Sequence, residues 1–221
     1  MLNYIDFVSR VHTQTRRDYR ARVLESDKAE CAQIAIQYGR DYWDGDRRHG
    51  YGGYYYDGRW HVVAQAMVEH YQLRGSARIL DVGCGKGFLL YEFTRLLPDA
   101  KVYGVDISAY ALAQAKPEVR SQLVRGHAAA LPFRDGYFDL VVSLTTLHNL
   151  YNYELRAAAR EIERVARGGK YLSVESYRNE REKVNLLYWQ LTCRSFYTPA
   201  EWEWFLVDSN YTGDYGCIFF E

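Results

Sequence analysis

RILDVGCGKGFLLYEF, residues 78–93, joins a short apolar strand to a helix through a turn that carries Gly83, Gly85 and Gly87. Glycine has no Cβ, so this turn can take dihedrals that other residues avoid, and a ligand can approach bare backbone at a helix N-terminus. Three ligand classes compete for such a turn. A nucleoside triphosphate loop needs its lysine followed by Ser or Thr, whereas Lys86 precedes Gly87 and the upstream spacing is wrong. A dinucleotide turn needs G-x-G-x-x-G, but the third position is Phe88, and a carboxylate at Asp81 repels a pyrophosphate. A ligand with a positive centre and an adenosine meets neither objection. Asp81 offers negative potential to the cation, and Asp106, ending the next strand, is placed to accept both ribose hydroxyls.

Outward from this stretch, short apolar strands alternate with helical patterns: RILDV, a helix over 87–97, KVYGVD, a helix over 108–115, QLVRG, FDLVVS, a helix over 153–167, and KYLSVES. That rhythm predicts a parallel sheet with helices on both faces. Ser108 is placed to cap the second helix, and the pair Gly168 and Gly169 to end the fourth. Upstream, Trp60, Val63, Ala64, Met67, Val68 and Tyr71 recur at helical spacing up to Gly75. Residues 3–38 read as helical, with a fresh start at Asp27, Glu30 three residues on, and a stop at Gly39. Downstream, Thr198 and Pro199 open a helix and YGCIFFE closes the chain as a strand, expected to pair antiparallel at an edge. The chain divides into an N-terminal helical cap with a Tyr/Gly-rich segment, residues 1–59, and a core, residues 60–221.

With 221 residues the chain can bury one core plus an appendage. Its 28 basic and 28 acidic side chains cancel, so no global field draws it to nucleic acid or to a membrane surface. Cys31, Cys84, Cys193 and Cys217 lie far apart and never as C-x-x-C, which argues against a zinc cluster or a disulfide framework and fits the cytoplasm. No metal site is expected. Asp6 and Arg10 interrupt the N-terminus before it forms an apolar signal core, and no apolar run long enough to span a membrane occurs.

The residues around the glycine turn resemble the class I methyltransferases that depend on S-adenosylmethionine. Asp81, Gly83 and Gly85 match their first motif, Asp106 the acid ending the next strand, GHAAALPF the adenine-packing segment, and FDLVVSLTTLHNL the fourth strand and its loop. The resemblance covers about residues 60–220. It implies a Rossmann-like, mostly parallel sheet of seven strands, the last antiparallel and its hairpin short here, with S-adenosyl-L-methionine as cofactor. It also implies Asp81, Gly83, Gly85, Asp106, Ile107, His127, Ala128 and Ser143 as cofactor-binding residues. The family often has an acid where His127 stands, which moves the adenine contact toward the Ala128 backbone.

Methyl transfer is an in-line displacement, so the protein must align the acceptor and take its proton. His148, in the loop after the fourth strand, is the candidate general base for a hydroxyl acceptor. Glu175 near the end of the fifth strand is a weaker candidate. Absences narrow the acceptor: Ser143, Leu144, Thr145 and Thr146 stand where nucleobase amino methyltransferases carry [DNS]-P-P-aromatic, and Cys193 lies outside the loop that cytosine enzymes use. A small polar metabolite is left, with a sugar-like hydroxyl as the expectation. An amine acceptor, or a non-catalytic cofactor-binding subunit, would share the same cofactor motifs. The segment RRHGYGGYYYDGRW, residues 47–60, is expected to fold over the site as a lid. Tyr51, Tyr54, Tyr56, Arg59 and, from the loop, Tyr153 would then meet the acceptor, and Arg47, Arg48 or Arg59 would bind an anionic group. The sequence does not specify an oligomeric state.

Overall fold

The computed structural model describes residues 2–13 and 17–221. Its centre is a six-stranded sheet in the order β3-β2-β1-β4-β5-β6, with β1 Arg78–Val82, β2 Lys101–Asp106, β3 Leu123–Arg125, β4 Phe138–Leu144, β5 Ala166–Glu175 and β6 Asp214–Ile218. Side chains alternate across each strand, so β1 sends Leu80 and Val82 to one face and Ile79 to the other. The first face is covered by helices Asn152–Val165 and Pro199–Asp208 through Leu155, Ile162, Trp202 and Phe205. The second is covered by helices His61–His70 and Phe88–Leu96, joined there by Val8 and Val11 of the N-terminal segment. No helix among the described residues is long and apolar enough to cross a membrane.

The expected helix starts hold at Ser108, whose hydroxyl accepts from the Ala111 amide, and at Thr198, which forms a capping box with Glu201. Other expectations need correction. All pairings are parallel, including β6 beside β5, where an antiparallel strand was expected. The cause is the intervening helix Pro199–Asp208, a crossover that returns the chain to the same end of the sheet. Six strands rather than seven are present among the described residues. Beyond β6 the N-terminus lies along the edge, with the Tyr215 amide donating to the Asn3 carbonyl and the Ile5 amide to the Tyr215 carbonyl. Gly168 and Gly169 do not end a helix, since Val165 does and both glycines lie inside β5. A Cβ on Gly168 would fall 2.3 Å from the Asp139 carbonyl oxygen, and one on Gly169 2.4 Å from the Tyr71 ring.

The expected helix over 3–38 is broken into Ser9–His12, Ala21–Leu24 and Lys28–Ala35; part of the expectation, residues 14–16, lies outside the described residues. Aspartates restart the chain: Asp6 accepts from the Val8 and Ser9 amides, Asp18 from Ala21, and Asp27 from Ala29 and Glu30. Gly39 is the N-cap of a further helix, Arg40–Trp43.

Trp202 is fully buried and its indole N–H donates to the Glu175 carbonyl at 3.0 Å, fixing the end of β5 from below. Trp202→Ala should lower the unfolding free energy by about 3–5 kcal/mol in denaturant titration. A loss under 1 kcal/mol would show that this contact does not hold the sheet end.

Candidate functional site

The turn between β1 and helix Phe88–Leu96 puts Gly83, Gly85 and Gly87 at φ of 84°, 51° and 71°, a region that favours glycine. Space imposes a second restriction. A Cβ on Gly83 would lie 2.1 Å from Thr146 Oγ1, and one on Gly85 2.8 Å from the Trp43 ring. Asp106 braces the turn, with its two carboxylate oxygens accepting from the Gly85 and Ser108 amides at 2.7 Å each. Lys86 is buried: its Nζ donates to both oxygens of Asp44 at 2.7 Å and to the Tyr54 carbonyl at 2.8 Å. The glycine turn is thereby tied to the N-terminal segment.

A cavity of about 700 Å³ opens between this turn and that segment. Its walls include Asp81, Gly83, Gly85, Asp106, Ile107, His127 and Ala128 at the carboxyl ends of β1 to β3, and Tyr51, Tyr54 and Arg59 opposite. Three expected residues stand elsewhere. Ser143 is wholly buried outside the lining, its hydroxyl donating to the Val82 carbonyl and locking β4 to β1. Tyr56 turns away to donate to Glu92, and Tyr153 is 72% exposed, stacked on Tyr151.

Asp81 carries the plainest electrostatic signal. It is buried, lines the cavity, and receives no hydrogen bond among the described residues. Burial, with the Asp106 carboxylate adding to it, pushes its carboxyl up to about 8. Burial also raises Asp106, while the amides of Ser108 and Gly85 pull it back. Two carboxylates facing one cavity, beside a backbone cradle that a Cβ would fill, fit a ligand with a positive centre and a ribose. S-adenosylmethionine matches that demand: Asp106 would hold the ribose, Asp81 would answer the positive charge, and Ala128 and His127 would flank the adenine.

At the other side of the cavity, β4 is followed by Thr145, whose backbone is left-handed at φ 50° and whose amide donates to the Ser173 carbonyl. This turn directs Thr146 onto Gly83 and leads into a single 3-10 turn, Leu147–Asn149. There His148 lines the cavity, with only 1% of its surface exposed. Its Nδ1 accepts from the Glu175 amide at 3.4 Å and its Nε2 stands 3.5 Å from Glu175 Oε2. With Nδ1 accepting, the neutral ring carries its proton on Nε2, facing the carboxyl. Burial holds the imidazole down to about 3, so it stays neutral and is a poor base by itself. Burial drives Glu175 the other way, up to about 8, with Arg17 and then Gln190 opposing. Glu175 Oε2 is buried without a hydrogen-bond partner among the described residues. An orphaned carboxyl oxygen in a cavity wall is a chemical feature that its place in the sequence only weakly marked.

The Tyr/Gly-rich segment is anchored where a lid was expected. Trp43 lies parallel to Tyr51 at 5.2 Å, Tyr54 stacks on Phe88 at 5.0 Å, and the Tyr51 amide donates to the Tyr42 carbonyl. Burial raises the Tyr51 phenol to about 12. Trp43, which the sequence reading did not single out, also donates to Ser108 Oγ at 2.9 Å, so an aromatic of the cap sits on the cofactor turn.

Residues 80–174 match the family model described as a methyltransferase domain. The chain is 35% identical over 116 residues to a demethylmenaquinone methyltransferase of Roseiflexus castenholzii, covering 51% of this chain and 48% of that protein. It is 37% identical over 92 residues to a malonyl-[acyl-carrier protein] O-methyltransferase of Legionella pneumophila, covering 40% and 32%. It thus spans about half or less of these relatives' lengths. Among solved structures, the Bacillus subtilis YcgJ protein superposes with a TM-score of 0.53 at 21% identity over 66% of each chain. A Haloferax volcanii methyltransferase, solved with the Trm112 activator, gives 0.58 at 20% identity over 83% of this chain and 77% of that one. Residues 80–174 are thus similar to a methyltransferase domain, and the sheet that contains them shares the fold of these two structures.

Asp81 must be ionised to answer a cation, and in the ligand-free protein its carboxyl is protonated below about 8. Affinity for S-adenosylhomocysteine, whose ammonium is positive, should therefore rise from pH 6 to pH 8 by up to about tenfold per unit. Asp81→Asn should flatten that slope in isothermal titration. A wild-type affinity independent of pH would remove Asp81 from the site.

Proposed function

We propose that this methyltransferase domain methylates a hydroxyl of a small acceptor held in the chamber under the N-terminal segment, with Glu175 taking the proton and His148 positioning Glu175. The observation that carries the reading is continuity: the carboxylates suited to the cofactor and the His148–Glu175 pair line one cavity. When bound, S-adenosylmethionine supplies a methyl group already activated by its sulfonium. The protein's remaining work is to orient the acceptor oxygen, exclude water and remove one proton.

Glu175 suits the last task. A carboxylate whose pKa sits near 8 is a stronger base than an exposed one, and about a tenth of it is ionised at pH 7. Its Oε2 makes no hydrogen bond among the described residues, and the His148 ring packed 3.5 Å away limits where it can turn. His148, first in line as the base from sequence, becomes a positioning residue because both ring nitrogens face Glu175. The aromatic walls at Tyr51, Tyr54 and Trp189 suit an acceptor with a flat apolar face, a sugar ring or an arene. The relatives differ in the acceptor their names give, so the acceptor class rests on the chamber. The four cysteines, all buried and unpaired, support a reducing compartment such as the cytoplasm.

Glu175→Gln should keep affinity for S-adenosylhomocysteine while lowering turnover by about 10² to 10⁴. The wild-type rate should climb with pH toward a plateau above about 8, because the base is ionised only above its pKa. His148→Phe replaces the polar neighbour of the carboxylate with an apolar ring, which should move that midpoint upward and reduce the rate less. If Glu175→Gln retains wild-type turnover and pH profile, the assigned base is wrong.

A further inference from the structure

Arg17, Arg22 and Arg47 bring their guanidinium carbons to 5.3, 4.9 and 5.0 Å from the centre of one indole ring, that of Trp189. All four residues line the same cavity as Glu175. They reach it from separate segments: Arg17 before helix Ala21–Leu24, Arg22 within it, Arg47 in the Tyr/Gly-rich segment, and Trp189 at the end of helix Glu180–Trp189.

Gathering three cations around one ring is costly, because like charges repel and partial burial strips their water. Both effects appear at Arg22, whose guanidinium is held below its usual range by burial and then by Arg47. Burial acts in the same direction on Arg17 and Arg47. Neither Arg22 nor Arg47 forms an ion pair among the described residues. Arg22 donates to the Arg47 carbonyl, and Arg47 to the carbonyls of Gly50 and Tyr51 at 2.9 and 2.8 Å. Those bonds leave Arg22 Nε buried without a hydrogen-bond partner. The facing carboxyl, Glu175, is one that burial itself keeps from ionising readily. Planar guanidinium forks on an aromatic platform are the geometry that recognises carboxylate and phosphate oxygens. An incoming anion would satisfy the Nε and relieve the mutual repulsion together.

We propose that Arg22 and Arg47, with Arg17 beside them on the Trp189 ring, form an anion subsite that holds a carboxylate or phosphate group of the methyl acceptor. This rests on the acceptor reading given above: the arginines grip one end of the acceptor while its reacting hydroxyl lies at Glu175. The substrate class is thereby an anionic hydroxy compound. Arg48 and Arg59, the other two candidates from sequence, are paired with Asp46 and Asp57 at the surface.

The test titrates benzoate, phenyl phosphate and neutral benzamide into the full chain, first alone and then saturated with S-adenosylhomocysteine. At least one of the two anions should bind tenfold or more tightly than benzamide. Arg22→Gln should weaken that anion at least tenfold while leaving S-adenosylhomocysteine affinity and benzamide binding unchanged. Arg47→Gln should do the same, and because Arg47 also holds two carbonyls of its own segment, the wild-type comparison of anion with amide stands whether or not that variant folds. Equal binding of anions and benzamide, or anion affinity unchanged in Arg22→Gln, would overturn the subsite. Failure of S-adenosylhomocysteine to bind would instead overturn the methyltransferase reading, and the titration without it would still read the arginines.

Discussion

The buried ion pair between Lys86 and Asp44 makes one site out of two parts of the chain. Lys86 belongs to the glycine turn after β1; Asp44 ends the short helix that carries Trp43. Both Asp44 oxygens meet the ammonium, Tyr110 donates to the same carboxylate at 2.9 Å, and the Tyr54 carbonyl completes the lysine's shell. A pair so satisfied gains little over apolar packing, but removing one partner leaves an uncompensated buried charge and costs about 3–5 kcal/mol. The pair therefore serves as a register device. It sets Trp43 against Gly85, where there is no room for a Cβ, and closes the roof of the cavity over the carboxyl ends of the strands.

That roof gives the cavity a polarity which the balanced composition conceals. Asp81 and Asp106 stand at one part of its wall, and Arg17, Arg22 and Arg47 at another, with the neutral His148 and the reluctant carboxyl of Glu175 also in the lining. Burial raises the acids of the first group and lowers Arg22 and Arg47 of the second. A cationic donor and an anionic acceptor would each relieve one cluster. On the proposed reading, the chamber would select a pair of ligands by charge before any single contact selects an atom. Apolar closure by Trp43, Tyr51 and Tyr54 strengthens this sorting by keeping the local dielectric low.

Much of this was legible in the sequence because it depends on local patterns. Strand-turn-helix alternation pointed to the sheet, and Asp81 and Asp106 do line one cavity at the ends of β1 and β2. The direction of β6 was missed, although the signal was there: a helix opening at Thr198 and Pro199 between two strands implies a crossover and so a parallel pair. Gly168 and Gly169 looked like a helix stop, whereas they are glycines because Asp139 and Tyr71 press on β5. The burial of Lys86 has no local mark in the sequence, because its partner lies 42 residues upstream. The roles proposed for Glu175 and His148 were also out of reach, since they depend on which nitrogen faces which oxygen. Arg17 and Arg22 fall within the stretch expected to be helical, and only tertiary packing against Trp189 reveals their convergence.

The most direct test of a single chamber joining donor to acceptor is transfer of tritium from methyl-labelled S-adenosylmethionine incubated with the protein and a protein-free, nucleic-acid-free metabolite extract. The account predicts label in a low-molecular-weight product that disappears when Asp106 is replaced by alanine. Binding of the cofactor with no label entering any small molecule, or label entering only added RNA or protein, would contradict it.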